Sequence, residues 1–204
     1  MFLKSLGKAL ENLWPMLIIF VVVLVVTRIF YIKNNKRETV LYKEILALLF
    51  IIYLLLLFEL VTNTETAAKG INLVPFTEIF RYTFGSKLFL YNVIGNIIVF
   101  IPFGYFISSY IKSKGIGPIF SIALITSLTI ELVQLKIGRA FDIDDIILNV
   151  TGGIIGFLLY VGLDAIKKRL PALFQRDWIY NIICVFLLLG VLLYLGKMLG
   201  FVKF

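Results

Sequence analysis

The chain has no histidine and a single cysteine, Cys184. The first absence removes Ser-His-Asp and Cys-His catalysis and the common zinc sites. The second removes an intrachain disulfide and any paired-cysteine metal site. Charge is also scarce. Only 16% of the 204 residues are Asp, Glu, Lys or Arg, against about 25% in an ordinary soluble domain. What is present is apolar: 61% of the residues are hydrophobic and 15% of the chain is aromatic, with a mean hydropathy of +1.02. Such a composition cannot supply the polar surface of a soluble domain.

The apolar residues fall in runs long enough to cross a bilayer, which takes about 20 residues as a helix. Six runs stand out: Leu13–Ile32, Glu44–Val61, Leu88–Ile111, Ile116–Leu135, about Asp145–Leu163 and about Trp178–Leu199. Open strands would leave backbone groups unsatisfied in lipid, so these runs read as helices. The fold class is all-α, a polytopic transmembrane bundle of about six helices. Residues 1–204 form a single membrane domain, with no repeat and no separating linker. The first run follows Lys4 and Lys8 but lacks a small-residue cleavage site, so it reads as a retained helix, with Arg28 snorkelling to an interface. The segment Lys112–Pro118 is a tight polar turn, making the third and fourth helices antiparallel neighbours.

Net charge is +8. The cations sit in short loops between apolar runs, so the partner they imply is membrane lipid, with no nucleic acid. Ten Lys and Arg follow helices 1, 3 and 5, and nine lie on the opposite side. The first side is denser, roughly one basic residue in three against roughly one in six. That places both termini outside.

Polar residues inside apolar spans are costly and need a reason. Asn92 and Asn96 lie four apart on the third helix. Ser127, Glu131 and Gln134 share a face of the fourth. Asp145, Asn149, Gly152 and Gly156 share a face of the fifth. By alternation of the helices, these groups gather at one membrane face, together with the loop carrying Arg139, Asp142 and Asp144. Several have plain structural readings. The asparagines can join neighbouring helices, Asp144 and Asp145 can cap a helix, Gly152 and Gly156 can admit a close helix contact, and Glu131 can pair with Arg139. Six polar residues within 131–149, namely Glu131, Gln134, Arg139, Asp142, Asp145 and Asn149, exceed what those readings require. The loop 71–84 combines apolar Leu73, Val74, Phe76, Ile79, Phe80 and Phe84 with Glu78 and Arg81; it reads as an amphipathic or a re-entrant lid, and lying on the membrane is the favoured of the two.

Three elements in order carry a family resemblance. They are Asn72-Leu73-Val74-Pro75-Phe76; then Asn92, Gly95 and Asn96 followed by Pro102-Phe103-Gly104; then Glu131 and Gln134, Arg139, Asp142, Asp144 and Asp145, and Asn149 before Gly152. The sequence resembles the VanZ family of small bacterial membrane proteins over about residues 72–160, flanked by transmembrane helices in 1–61 and 164–204. The resemblance implies a multi-pass protein of the bacterial cell membrane. It also implies a link to teicoplanin, a lipid-tailed glycopeptide antibiotic to which the founding member is associated with low-level resistance.

Three functions compete. A binding protein would engage a lipid-linked cell-wall precursor or a lipoglycopeptide at an outer-face pocket formed by Asn72, Pro75, Asn92, Asn96, Glu131, Gln134, Arg139, Asp142, Asp145 and Asn149. Its amides would bind sugar or peptide groups, and Arg139 would bind a carboxylate or phosphate. An enzyme acting on envelope lipids or peptidoglycan precursors would use the carboxylates as acid and base. A transporter or flippase component would line a path with the same residues, although the inner halves of these helices are mostly apolar. No cofactor and no metal site is expected.

Overall fold

The structure is a computed structural model, and it describes residues 19–34, 40–62 and 70–198. The fold is all-α. Helix α1 covers 19–34 and α2 covers Leu41–Thr62. Strand β1 is Ile71–Asn72, and α3 is the single turn Thr77–Arg81. Helix α4, Lys87–Phe89, runs through a π-helical turn, Leu90–Ile94, into α5, Gly95–Ile111. Then come α6 (Ile116–Lys136), β2 (Phe141–Asp142), α7 (Ile143–Arg169), a 3-10 turn (Ala172–Gln175) and α8 (Asp177–Met198).

Four stretches are long and apolar enough to cross a membrane: Leu41–Thr62, Lys87–Ile111, Ile116–Lys136 and Ile143–Arg169. They coincide with the second to fifth expected spans. The fifth is longer than expected, reaching Arg169 instead of Leu163. Its last turn carries Lys167, Lys168 and Arg169, cations that suit the negative end of a helix dipole. The expected first and sixth spans extend outside the described residues. The described part of the sixth is apolar over Asp177–Gly190.

The chain divides into two compact units. In the unit containing the described residues of Gly7–Leu56 and Ile166–Phe204, Asn181 on α8 accepts the Tyr42 backbone N–H (2.9 Å). The Tyr42 and Tyr180 rings pack at 5.5 Å, and the Lys167 ammonium lies 4.3 Å from the Tyr180 ring centre. Arg28 does not snorkel alone, because its guanidinium forks onto Glu44 (2.7 and 2.8 Å).

The other unit, Leu57–Ala165, holds the site. Its core includes fully buried Phe100, Ile119 and Ala123. Helices α5 and α7 cross at backbone contact. A Cβ on Gly104 would strike the Gly153 carbonyl, one on Gly152 the Ile97 carbonyl, and one on Gly156 the Ile101 carbonyl. Small residues at these positions are what allow the crossing. Helix α5 ends on Lys112 in the left-handed region (φ 51°), with the Lys112 and Ser113 N–H groups donating to Ser108. This cap turns the chain within a few residues into α6.

Two loop segments pair as a two-residue parallel ladder, Ile71 with Phe141 and Asn72 with Asp142. The Phe141 N–H extends it by donating to the Gly70 carbonyl (3.0 Å). The sequence carries no sign of this ladder. Two residues have no periodicity, and the partners lie 70 positions apart.

Candidate functional site

The site begins with one buried face of α6. Ser127, Glu131 and Gln134 are spaced to share that face and are all buried. The helix then stops at Gly138, whose φ of +88° suits a residue without a side chain. The Arg139 N–H folds back onto the Gln134 carbonyl (2.9 Å). This turn returns the Arg139 side chain toward the helix it has just left.

A chain of hydrogen bonds follows. Arg139 donates to the Val61 carbonyl at the end of α2 (3.0 Å) and to the Gln134 amide oxygen (3.2 Å), while the Gln134 amide nitrogen donates to Glu131 (2.9 Å). The other Glu131 oxygen accepts the Asp142 backbone N–H (2.9 Å). Gln134 therefore stands between Glu131 and Arg139, and a direct ion pair between them does not form. The Asp142 carboxylate accepts Asn72 Nδ2 (3.0 Å) and the Asp144 N–H (2.9 Å). Asn72 also turns its own backbone, its side-chain oxygen accepting the Val74 N–H (3.1 Å), an Asx turn.

Asp144 caps a helix, but the helix is α3 and not its own. Its two oxygens accept the N–H groups of Phe76, Glu78 (2.7 Å) and Ile79 (3.2 Å). The residue is 1% exposed. It holds Phe76 in the left-handed region (φ 69°), a conformation costing a non-glycine residue roughly 1–2 kcal/mol. Pro75 precedes that residue in an exposed turn.

Two further pairs lie across the helices. Asn96 on α5 donates to Asp145 on α7, and Asn149 on α7 donates to the Ser127 hydroxyl on α6 (2.9 Å). Among the described residues no buried side-chain nitrogen or oxygen is left without a partner.

Above this frame is a half-open cavity of about 90 Å³, lined by Glu78, Ile79, Tyr82, Asn92, Val93, Asp142, Asp144, Asp145 and Leu148. Asn92 reaches it from the π-helical turn, an irregularity frequent at functional positions. Burial pushes the Asp142 carboxyl above its ordinary range, and the neighbouring charges of Asp144 and Glu78 add to this. Burial likewise raises the Tyr82 hydroxyl, helped by Glu78. Among the described residues no three acidic or cysteine side chains converge as a metal site.

The expected residues thus separate by position. Asn72, Glu131, Gln134, Arg139 and Asp142 form one connected frame. Asn92, Asp142 and Asp145 line the cavity, with Asn96 bracing Asp145. Asn149 is buried with Ser127, and neither lines the cavity. Sequence reasoning missed Glu78 and Tyr82 as cavity residues and Asp144 as the residue tying the loop down. The run Asp142-Ile143-Asp144-Asp145 was the available signal for Asp144. Glu78 and Tyr82 had none, because a single helical turn in a loop shows no pattern.

The model of the VanZ/LLP1 family matches residues 44–168. The chain is 38% identical over 94 residues to Protein VanZ of Enterococcus faecium, covering 45% of this chain and 53% of that protein. It spans about half the length of that relative. No solved structure matches. With its matched region running from the start of α2 to the end of α7 and enclosing the whole site, the chain belongs to the VanZ/LLP1 family.

Proposed function

We propose that this protein binds the polar part of a lipid-linked envelope molecule or lipoglycopeptide in the cavity at the outer face of the bacterial cell membrane, and so lowers teicoplanin susceptibility. The observation that carries the reading is the convergence of Asp145, Asn92, Glu78 and Tyr82 on one half-open cavity at the ends of membrane-spanning helices. Carboxylates and amides accept hydrogen bonds from sugar hydroxyls and amines. A cavity of about 90 Å³ is far below the roughly 300–1,000 Å³ of a pocket that encloses a drug-sized ligand. It suits one sugar or amine group, with the rest of the ligand outside and its tail in lipid.

Binding is favoured over catalysis by how the carboxylates are used. Glu131, Asp142 and Asp144 each accept a backbone N–H, which assigns them to holding the loops in place. Arg139 donates to Val61 and Gln134, so in this reading it braces the frame and does not clamp an anion.

The test is susceptibility to teicoplanin and vancomycin, side by side, in a strain lacking the protein and complemented with wild type, Asn92→Ala or Asp145→Asn. Membrane levels of each are checked by blot. Wild type protects selectively against the lipid-tailed drug, and both variants lose that protection at normal abundance. Variants that protect as well as wild type would remove the cavity from the function.

A further inference from the structure

The segment between β1 and α4 has two faces. Glu78, Ile79 and Tyr82 turn toward the cavity. Leu73, Val74, Phe76, Phe80 and Phe84 turn away from it, with relative exposures of 64%, 64%, 49%, 82% and 87%. Five large apolar side chains exposed within twelve residues form a surface that water does not favour. Nothing among the described residues of the Leu57–Ala165 unit covers them, and the fold holds them outward. The Asp144 carboxylate grips the backbone at Phe76, Glu78 and Ile79, which fixes the roll of α3 and therefore the direction of Phe80.

The position of this crest relative to the spans identifies what covers it. The preceding span ends at Thr62 and the following one starts at Lys87, so both flanks sit at one membrane boundary. The Phe84 ring packs on Phe89 in the first turn of the following span, centres 5.1 Å apart. The neighbours of Phe89, Leu88 and Leu90, are each 53% exposed on that span. The crest is thus a continuation of the lipid-facing belt. The polar groups of α3, Glu78 and Arg81, pair with each other (3.0 Å), which suits the headgroup layer.

We infer that residues 73–84 are a membrane-inserted crest, with Leu73, Val74, Phe76, Phe80 and Phe84 seated at the boundary between lipid headgroups and acyl chains. The partner of this surface is the bilayer itself. The inference does not depend on any ligand of the cavity. It puts the Glu78 and Tyr82 wall of the cavity at headgroup depth.

The test uses tryptophan fluorescence in the full chain. In a Trp14→Phe, Trp178→Phe background, Phe80→Trp and Phe84→Trp are made singly and reconstituted into phosphatidylcholine–phosphatidylglycerol vesicles. Lipids brominated near the top of the acyl chain should remove most of the emission, and aqueous iodide should remove little. Iodide quenching close to that of a free tryptophan derivative, with no effect of bromolipid, would overturn the inference. Insensitivity to both quenchers would overturn it too, since the crest would then be covered by protein. Should the tryptophan variants not reconstitute, a nitroxide on Phe84→Cys in a Cys184→Ser chain gives the same decision. Greater collision with oxygen than with a water-soluble nickel chelate supports insertion, and the reverse rejects it.

Discussion

Asp144 has two oxygens and accepts from three backbone N–H groups of another segment. Asparagine would keep one acceptor oxygen and turn an amide against donors that are already short of partners. Hydrogen bonds to a charged group are worth about 1.5–3 kcal/mol each. Asp144→Asn should therefore cost about 3 kcal/mol and speed amide exchange at Phe76, Glu78 and Ile79, read by hydrogen-exchange mass spectrometry. Unchanged exchange there would mean that the β1–β2 ladder alone holds the segment. Asp142 behaves differently, because its carboxyl is raised by burial. A folded state that holds this proton more tightly than the unfolded chain loses stability as pH climbs from the ordinary aspartate value through the raised one. Asp142→Asn keeps the oxygen that Asn72 and the Asp144 N–H use and removes the charge. It should equal wild type in strong acid and become the more stable of the two toward neutral pH. Denaturation series in detergent at several pH values check this, and a gap that shrinks toward neutral would reverse the sign. Asn149 and Ser127 are a simpler case. A double-mutant cycle to alanine should give a coupling of about 0.6 kcal/mol, up to roughly 1.7.

At the level of elements, the crossing of α5 on α7 is made by missing side chains. Ala at Gly104, Gly152 or Gly156 would meet backbone carbonyls, and backbone cannot yield as a flexible side chain does. Each substitution should cost about 1–3 kcal/mol or more, measured as a fall in the denaturation midpoint. Gly162 lies on the same α7 with open space where its Cβ would go. Gly162→Ala should leave stability unchanged or raise it by up to about 1 kcal/mol. Equal losses at all four positions would show general sensitivity of the helix and no specific contact. The spacing of Gly152 and Gly156 announced this contact in the sequence, because small residues one turn apart leave a flat stripe. The π-helical turn at Asn92 left no such mark. Neither did β1 and β2, whose pairing depends on tertiary neighbours and not on local preference.

At the level of the whole molecule, the membrane-spanning character was legible because a bilayer imposes one length and one polarity on every span. Alternation of spans also led to the expectation that the polar residues gather at one face, because parity decides which helix ends share a side. What could not be read was which polar groups are committed to one another. Gln134 standing between Glu131 and Arg139, and Asp144 serving a segment 65–68 residues upstream, depend on where loops close, and loop closure has no local signature.

The same long separations bear on how the protein is made. Asn72, Phe76 and Glu78 leave the ribosome some 66–70 residues before Asp142 and Asp144. At a synthesis rate of about 5–20 residues per second, the early segment waits roughly 3–14 seconds for the residues that hold it. Two more spans, Lys87–Ile111 and Ile116–Lys136, have to be inserted in that interval. The cavity therefore has no existence in a nascent chain that stops after α6, however well its helices are inserted. Assembly of this site waits for the residues that follow α6, and a chain arrested at residue 136 should show residues 71–79 open to protease while the completed protein protects them.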